Sequence, residues 1–187
     1  RIDPAGIDAL VLSHVHGDHA GGLMGLLQAN PRVEVYLPAS FPDRIKDLVR
    51  RAGAGIVEVN GPQRVCENVY TTGVLGRRVQ EQAMAIRTQR GLVVLTGCAH
   101  PGVVPMVEAA RRLHGENLLL VMGGFHLEWT IAGKVDRIIA AFQGLGVRHV
   151  APTHCTGEKA RLRFEERFGQ GFIPVGVGKT LSLADLP

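Results

Sequence analysis

The sequence has few cysteines, few aromatic residues and no long hydrophobic run, and each shortage excludes a class of protein. Its three cysteines, Cys66, Cys98 and Cys155, form no CxxC pair, which argues against a disulfide framework and favours a reducing compartment. No apolar stretch approaches the roughly 18 residues that a membrane span requires, and the first residues do not resemble a signal peptide. We therefore expect a cytoplasmic protein without a membrane partner.

Aromatic residues make up only 5% of the chain. No segment interleaves them with basic residues, as proteins that bind single-stranded nucleic acid do. The formal charge is +4, and the arginines fall in short clusters such as Arg77–Arg78 and Arg111–Arg112. Each cluster is either a solvated surface or a contact for an anionic substrate. The composition thus argues against nucleic acid as a partner and favours a small-molecule substrate.

The apolar content is sufficient for one folded domain over residues 1–187, since the chain is 45% hydrophobic and 20% charged. Apolar runs and turn residues alternate along the chain and predict an α/β fold. Strands are predicted at 7–12, 33–37, 56–59, 65–70, 83–88, 92–95, 118–122, 147–151, 172–177 and 180–183. Helices are predicted at 20–28, about 40–53, 103–113, 134–145 and 158–168.

Six of the eight histidines follow predicted strands, which is where ligands of α/β proteins bind. The first strand is followed within a few residues by His14, His16, Asp18 and His19. Imidazole suits zinc and iron, and a carboxylate adds a harder ligand, so this run predicts a metal site.

Three further histidines, His100, His126 and His154, each follow a later strand. The other two, His114 at a helix end and His149 inside a strand, are interpreted as structural.

The run HVHGDH at 14–19 resembles the HxHxDH motif of the metallo-β-lactamase superfamily. Later segments, TGCAHPG at 96–102, GGFHL at 123–127 and PTHCTG at 152–157, are similar to one subfamily, related to dihydropteroate-synthase-like and aminobenzene ribofuranosyl-phosphate synthase proteins. The resemblance implies an α/β fold, the αββα sandwich. It also implies sheet strands ahead of HxHxDH that this chain lacks. We therefore expect an exposed sheet edge, open to an upstream segment or to a second copy of the chain in a homo-oligomer.

The resemblance further implies two divalent metal ions, with zinc expected and manganese or iron as alternatives. Site one would take His14, His16 and His100. Site two would take Asp18, His19 and His154.

Three residues of this implied site have roles that the two sets of ligands do not cover. Asp18 would also orient a water or accept its proton, which makes it a catalytic residue. His126 has no counterpart in the general pattern; we assign it a catalytic role toward the substrate, while metal binding or orientation of a ligand stays open. Cys98 stands where many relatives have the aspartate that bridges the two metals, and it is either a thiolate ligand or a small buried residue.

The implied activity is hydrolysis of a small, anionic ester or phosphodiester by water held between two ions. The motif G-x-S-x-G is absent, so the sequence does not indicate a serine nucleophile. The alternatives are a nuclease of the same fold, a non-hydrolytic transferase related to pterin and methanopterin biosynthesis, an iron-bearing redox protein, and an inactive metal-binding fragment.

Overall fold

The computed structural model describes residues 2–115 and 117–186, which form two β-sheets and the helices that pack on them. The strands are β1 (Ala9–Val11), β2 (Glu34–Pro38), β3 (Gly55–Val59), β4 (Gln63–Cys66), β5 (Val69–Thr71), β6 (Met84–Thr88), β7 (Gly91–Thr96), β8 (Leu118–Gly124) and β9 (His149–Thr153). The helices are α1 (Gly17–Ala20), α2 (Leu23–Ala29), α3 (Asp43–Arg51), α4 (Val103–His114), α5 (Ala132–Gly144) and α6 (Glu158–Phe168). None of these helices is long and apolar enough to cross a bilayer.

The smaller sheet has the order β1-β2-β3 and is entirely parallel. The larger sheet has the order β4-β5-β6-β7-β8-β9; it is antiparallel from β4 to β7 and parallel from β7 to β9. Helices α4 and α5 make the crossovers that parallel neighbours require. The carboxyl ends of β7, β8 and β9 therefore lie side by side. Among the described residues, β1 pairs with β2 alone.

The sequences of β7 and β8 are continuous apolar runs because both faces of these strands are covered in the core of the larger sheet. On one face, α4, α5 and α6 pack around three buried phenylalanines, Phe125, Phe142 and Phe164, whose ring centroids are 5.4–5.8 Å apart. On the other face, Val93 and Leu120 pack against the C-terminal segment. The smaller sheet has its own apolar cluster with α2 and α3.

Four predicted elements were wrong. The strand predicted at 65–70 is a hairpin of β4 and β5, turned at Asn68 with φ 61°. The helix predicted at 20–28 is two helices, α1 and α2, separated by Gly21–Gly22. The predicted strands at 172–177 and 180–183 are not formed, apart from a single bridge between Phe172 and Val150. Their apolar pattern comes from packing on the larger sheet, while Pro174 interrupts strand pairing.

Candidate metal centre

The loops after β1, β7, β8 and β9 bring the predicted site residues together. The His14 and His100 rings are 4.6 Å apart between centroids, the His100 and His126 rings 4.5 Å, and the His19 and His154 rings 4.9 Å. Residues more than a hundred positions apart in the chain therefore share one site, at the strand ends where the sequence predicted it.

The first group consists of His14, His16 and His100, whose ligand atoms all lie within 4.8 Å of one another. His14 is fully buried, and its Nε2 has no hydrogen-bond partner in the part of the chain that the structure describes. Such an atom costs about 1–3 kcal/mol when nothing satisfies it. Burial is the main reason that the pKa of His14 is lowered to about 4, so its ring is neutral at pH 7 and able to bind a cation. This orphaned nitrogen fits a metal ion.

The second group consists of Asp18, His19 and His154, again with ligand atoms within 4.8 Å of one another. The Nε2 atoms of His19 and His154 are 3.1 Å apart, and each is 3.3 Å from Asp18 Oδ2. Two imidazoles and a carboxylate that point at one spot form a second group suited to a cation. The imidazole-rich set is typical of zinc or iron rather than of calcium or magnesium.

Glu81 is a part of the site that the sequence analysis did not identify. Its carboxylate is fully buried and accepts hydrogen bonds from the backbone amides of Cys98 at 2.8 Å, Ala99 at 2.9 Å and His100 at 2.9 Å. It also lies 2.9 Å from His100 Nδ1. Because Nδ1 is occupied in this way, the Nε2 of His100 is left for a metal ion.

Burial alone would raise the pKa of Glu81, but the hydrogen bonds from the loop 98–100 lower it overall. Glu81 is thus a carboxylate that holds this loop in place. The signal in the sequence was slight: a single acidic residue two positions before the apolar strand predicted at 83–88.

Cys98 and Cys155 lie between the two groups. Cys98 Sγ is 3.2 Å from His19 Nε2, and Cys155 Sγ is 3.6 Å from the Cys98 carbonyl oxygen. A hydrogen bond from Cys98 to Cys155 raises the pKa of Cys98 and lowers that of Cys155 to about 5, with a further contribution from His126.

The backbone around these side chains is strained, because Ala99, His126 and His154 have φ of 61°, 54° and 52°. Non-glycine residues in this region cost about 1–3 kcal/mol each and tend to cluster at functional sites.

The two histidines interpreted as structural lie elsewhere. His114 ends α4 and its ring lies 4.3 Å from that of Tyr70, between centroids. His149 is buried in β9. Neither belongs to a group of metal-binding side chains among the described residues.

The chain belongs to the metallo-β-lactamase superfamily, whose family model matches residues 1–181. It is similar to a solved structure, Tm1679, described as a metal-dependent hydrolase of the β-lactamase superfamily, with TM-score 0.77 and 26% identity over 92% of this chain and 78% of that one. The metallo-β-lactamase fold protein YhfI from Bacillus subtilis matches with TM-score 0.66 and 16% identity, over 92% of this chain and 76% of its own. The predicted α/β fold of this superfamily is confirmed.

The chain is also 29% identical to 7,8-dihydropterin-6-methyl-4-(β-D-ribofuranosyl)-aminobenzene-5'-phosphate synthase of Methanocaldococcus jannaschii. That alignment of 226 residues covers 97% of this chain and 77% of the synthase. Among similar proteins there are thus both a hydrolase and a synthase.

Proposed function

We propose that this protein is a metal-dependent hydrolase that acts on a small, anionic ester or phosphodiester. The observation that carries the proposal is the meeting of the two metal-binding groups, one around the buried His14 and one around Asp18, at one edge of the fold. The similarity to Tm1679 supports it. Bound divalent ions would supply a Lewis acid and water of lowered pKa.

The protein's own residues have distinct tasks in this proposal. Asp18 lies 3.3 Å from both His19 and His154 through one oxygen, so its carboxylate helps hold the second group and is placed to take a proton. His126 is exposed beside His100, on the open side of the centre, where its ring can reach a substrate.

The anionic substrate class is supported by a hairpin next to His100. Leu75 and Glu81 pair through two backbone hydrogen bonds of 2.9 and 3.0 Å, which close the turn formed by residues 76–80. Gly76 lies against the loop after β7, since a Cβ there would be 3.0 Å from Pro101 Cγ. Arg77 and Arg78 at this turn are exposed and have no ion-pair partner among the described residues. Two exposed guanidinium groups on a turn that packs against the loop after β7 would favour a phosphate or carboxylate group on the substrate.

The proposal is tested by metal analysis followed by a panel of phosphodiester and carboxylic ester substrates. We expect about one to two transition-metal ions per chain, loss of activity and of thermal stability on chelation, and recovery with zinc. Asp18→Asn keeps the size of the side chain but removes its charge, so we expect turnover to fall at least about tenfold and the metal content to decrease. A protein that stays free of metal after dialysis against zinc or manganese would overturn the proposal, and full turnover by Asp18→Asn would remove the role given to Asp18.

The double variant Arg77→Ala/Arg78→Ala tests the substrate class. A hydrogen bond to a charged group contributes about 1.5–3 kcal/mol, so kcat/KM for an anionic phosphodiester should fall about tenfold or more. Hydrolysis of a neutral ester should change little. The matched control is Arg111→Ala/Arg112→Ala, a second exposed pair in the last turn of α4, at the end away from the metal centre. An equal loss on both substrates, or in both double variants, would contradict a specific role for the hairpin.

The second candidate is a synthase that forms a pterin-linked phosphate compound, and it is favoured by the similarity to the M. jannaschii synthase over 97% of this chain. The two candidates differ in product. Incubation with a dihydropterin that carries a leaving group, such as a phosphate ester, on its 6-methyl carbon and with a ribofuranosyl-aminobenzene phosphate, followed by mass spectrometry, would show a joined product and the released leaving group only if the chain is a synthase.

A further inference from the structure

Two of the three cysteines meet at the metal centre, although they follow strands that are not neighbours. Cys98 lies in the loop after β7 and Cys155 in the turn after β9, with β8 between them. Their sulfur atoms lie within 4.8 Å of each other, the Cys155 thiol donates to the Cys98 carbonyl oxygen at 3.6 Å, and a hydrogen bond joins the two thiols. Both thiols are free. A disulfide requires about 2 Å between the sulfurs, so a small rotation of these side chains would join them.

A glycine at the end of β8 lets the two cysteines approach each other across that strand. A Cβ at Gly124 would lie 3.1 Å from Cys98 Cα and 2.8 Å from Cys155 Sγ, so a larger residue there would separate them. The backbone on each side is also anchored. The Cys98 amide donates to Glu81 at 2.8 Å, and the Cys155 carbonyl oxygen accepts from the Leu127 amide at 3.1 Å. The fold therefore keeps the pair together and leaves the side chains to move.

The two thiols differ in their access to solvent. Cys155 is partly exposed, whereas Cys98 is 4% exposed. Thiol oxidation begins at a sulfur that the oxidant can reach, and a neighbouring thiol then resolves the product into a disulfide. An accessible cysteine beside a buried one therefore has the arrangement of a redox-sensing pair, and transient disulfides of this kind are compatible with a reducing compartment.

We propose that Cys155 and Cys98 form a reversible disulfide when the metal-free centre meets hydrogen peroxide, and that this disulfide closes the centre to metal; the second half rests on the metal centre of the proposed function. The Cys155 sulfur attacks one peroxide oxygen, the O–O bond breaks, and a sulfenic acid forms while one water leaves. The Cys98 sulfur then attacks the sulfenic sulfur, the S–O bond breaks as the S–S bond forms, and the hydroxide leaves with the Cys98 proton as a second water. The two thiols are oxidised and the peroxide is reduced. A thiol reductant reverses the step by exchange.

The disulfide would close the centre because the Cys98 sulfur lies between the two metal-binding groups, 3.2 Å from His19 Nε2. A bond to Cys155 draws this sulfur towards the β9 side. It also fixes the spacing of the loops that carry His100 and His154, one residue of each group. We therefore expect the oxidised protein to bind zinc at least about tenfold more weakly than the reduced protein, the effect usual when the support of metal ligands is disturbed.

The test uses Cys66→Ser as its background, because this variant removes the exposed thiol on β4 and keeps the pair. The metal-free protein is treated with stoichiometric hydrogen peroxide and analysed by thiol titration, by mass spectrometry of its peptides and by zinc titration. We expect both thiols to disappear, a peptide pair linked through Cys98 and Cys155, weaker zinc binding, and recovery of thiols and zinc affinity with dithiothreitol. When Cys98→Ser is added, a sulfenic acid on Cys155 should persist and react with dimedone. When Cys155→Ser is added instead, the buried Cys98 thiol should stay reduced.

Two free thiols in Cys66→Ser after the peroxide treatment would overturn the disulfide, and equal zinc affinity before and after oxidation would overturn the closure of the centre. Either result leaves the histidine groups and the proposed hydrolase untouched. Failure of the reduced protein to bind any zinc would overturn the metal-dependent function, while the peptide analysis would still decide the disulfide, so the two failures are distinguishable. Far-ultraviolet circular dichroism of each variant establishes that it is folded.

Discussion

Glu81→Ala is expected to destabilise the metal-free protein by about 3 kcal/mol or more, because three backbone donors lose their shared acceptor. The variant leaves the amides of Cys98, Ala99 and His100 without their acceptor in a buried position. Each unsatisfied buried donor costs about 1–3 kcal/mol. The loop after β7 would lose its anchor, and His100 would lose the partner that fixes its Nδ1. Metal affinity should therefore fall about 10–100-fold, as is usual when the carboxylate behind a histidine ligand is removed.

Urea unfolding of metal-free wild type and variant measures the first effect, and zinc titration measures the second. Glu81→Gln is the informative second variant, because it keeps the shape and one acceptor oxygen but directs an NH₂ group at donors. Its stability and its zinc affinity should therefore lie between those of the wild type and those of Glu81→Ala. The matched surface control is Glu108→Ala, whose carboxylate makes only a 3.8 Å contact with Arg112 and should change stability by no more than about 0.5 kcal/mol. If the free energy of unfolding of Glu81→Ala lay within about 1 kcal/mol of the wild-type value, the anchoring role of Glu81 would be wrong.

The candidate ligands at 14–19 could be identified from sequence because their signal is local, with four of them in six consecutive residues. The positions of His100, His126 and His154 could be expected because each follows an apolar strand, and the ends of parallel neighbours meet at one edge. The role of Glu81 could not be found in this way. Its partners lie 17–19 residues along the chain, and the contact depends on how the hairpin of residues 75–81 packs against the loop after β7.

The fold shows the same division between local and long-range signals. Strands β7 and β8 and helices α4 and α5 follow long apolar or periodic segments, and their prediction was confirmed. The hairpin of β4 and β5 was missed because its turn, Glu67–Asn68, contains neither glycine nor proline. The segment after α6 was predicted as strands because packing on a sheet and pairing within a sheet can give the same apolar pattern, and sequence does not separate the two.

His154→Ala and His126→Ala are expected to differ in metal content, although both residues follow strands of the same parallel set. His154 Nε2 is 3.1 Å from His19 Nε2 and 3.3 Å from Asp18 Oδ2, so its loss removes a ligand from the Asp18 group. His126 is grouped with Cys98 and His100, and its ring is exposed on the open side of the centre. We therefore expect His154→Ala to lose about one ion per chain. We expect His126→Ala to keep its metal and to lose turnover about 10²–10⁴-fold, the range for a proton-transfer group.

Elemental analysis of the two purified variants, side by side with kcat on the best substrate of the panel, separates the two roles. His114→Ala is a suitable control, because His114 lies at the far end of α4 against Tyr70 and should leave both metal content and turnover unchanged. If His126→Ala loses an ion while His154→Ala keeps its full complement, the two assignments must be exchanged, and His126 becomes a metal ligand beside Cys98.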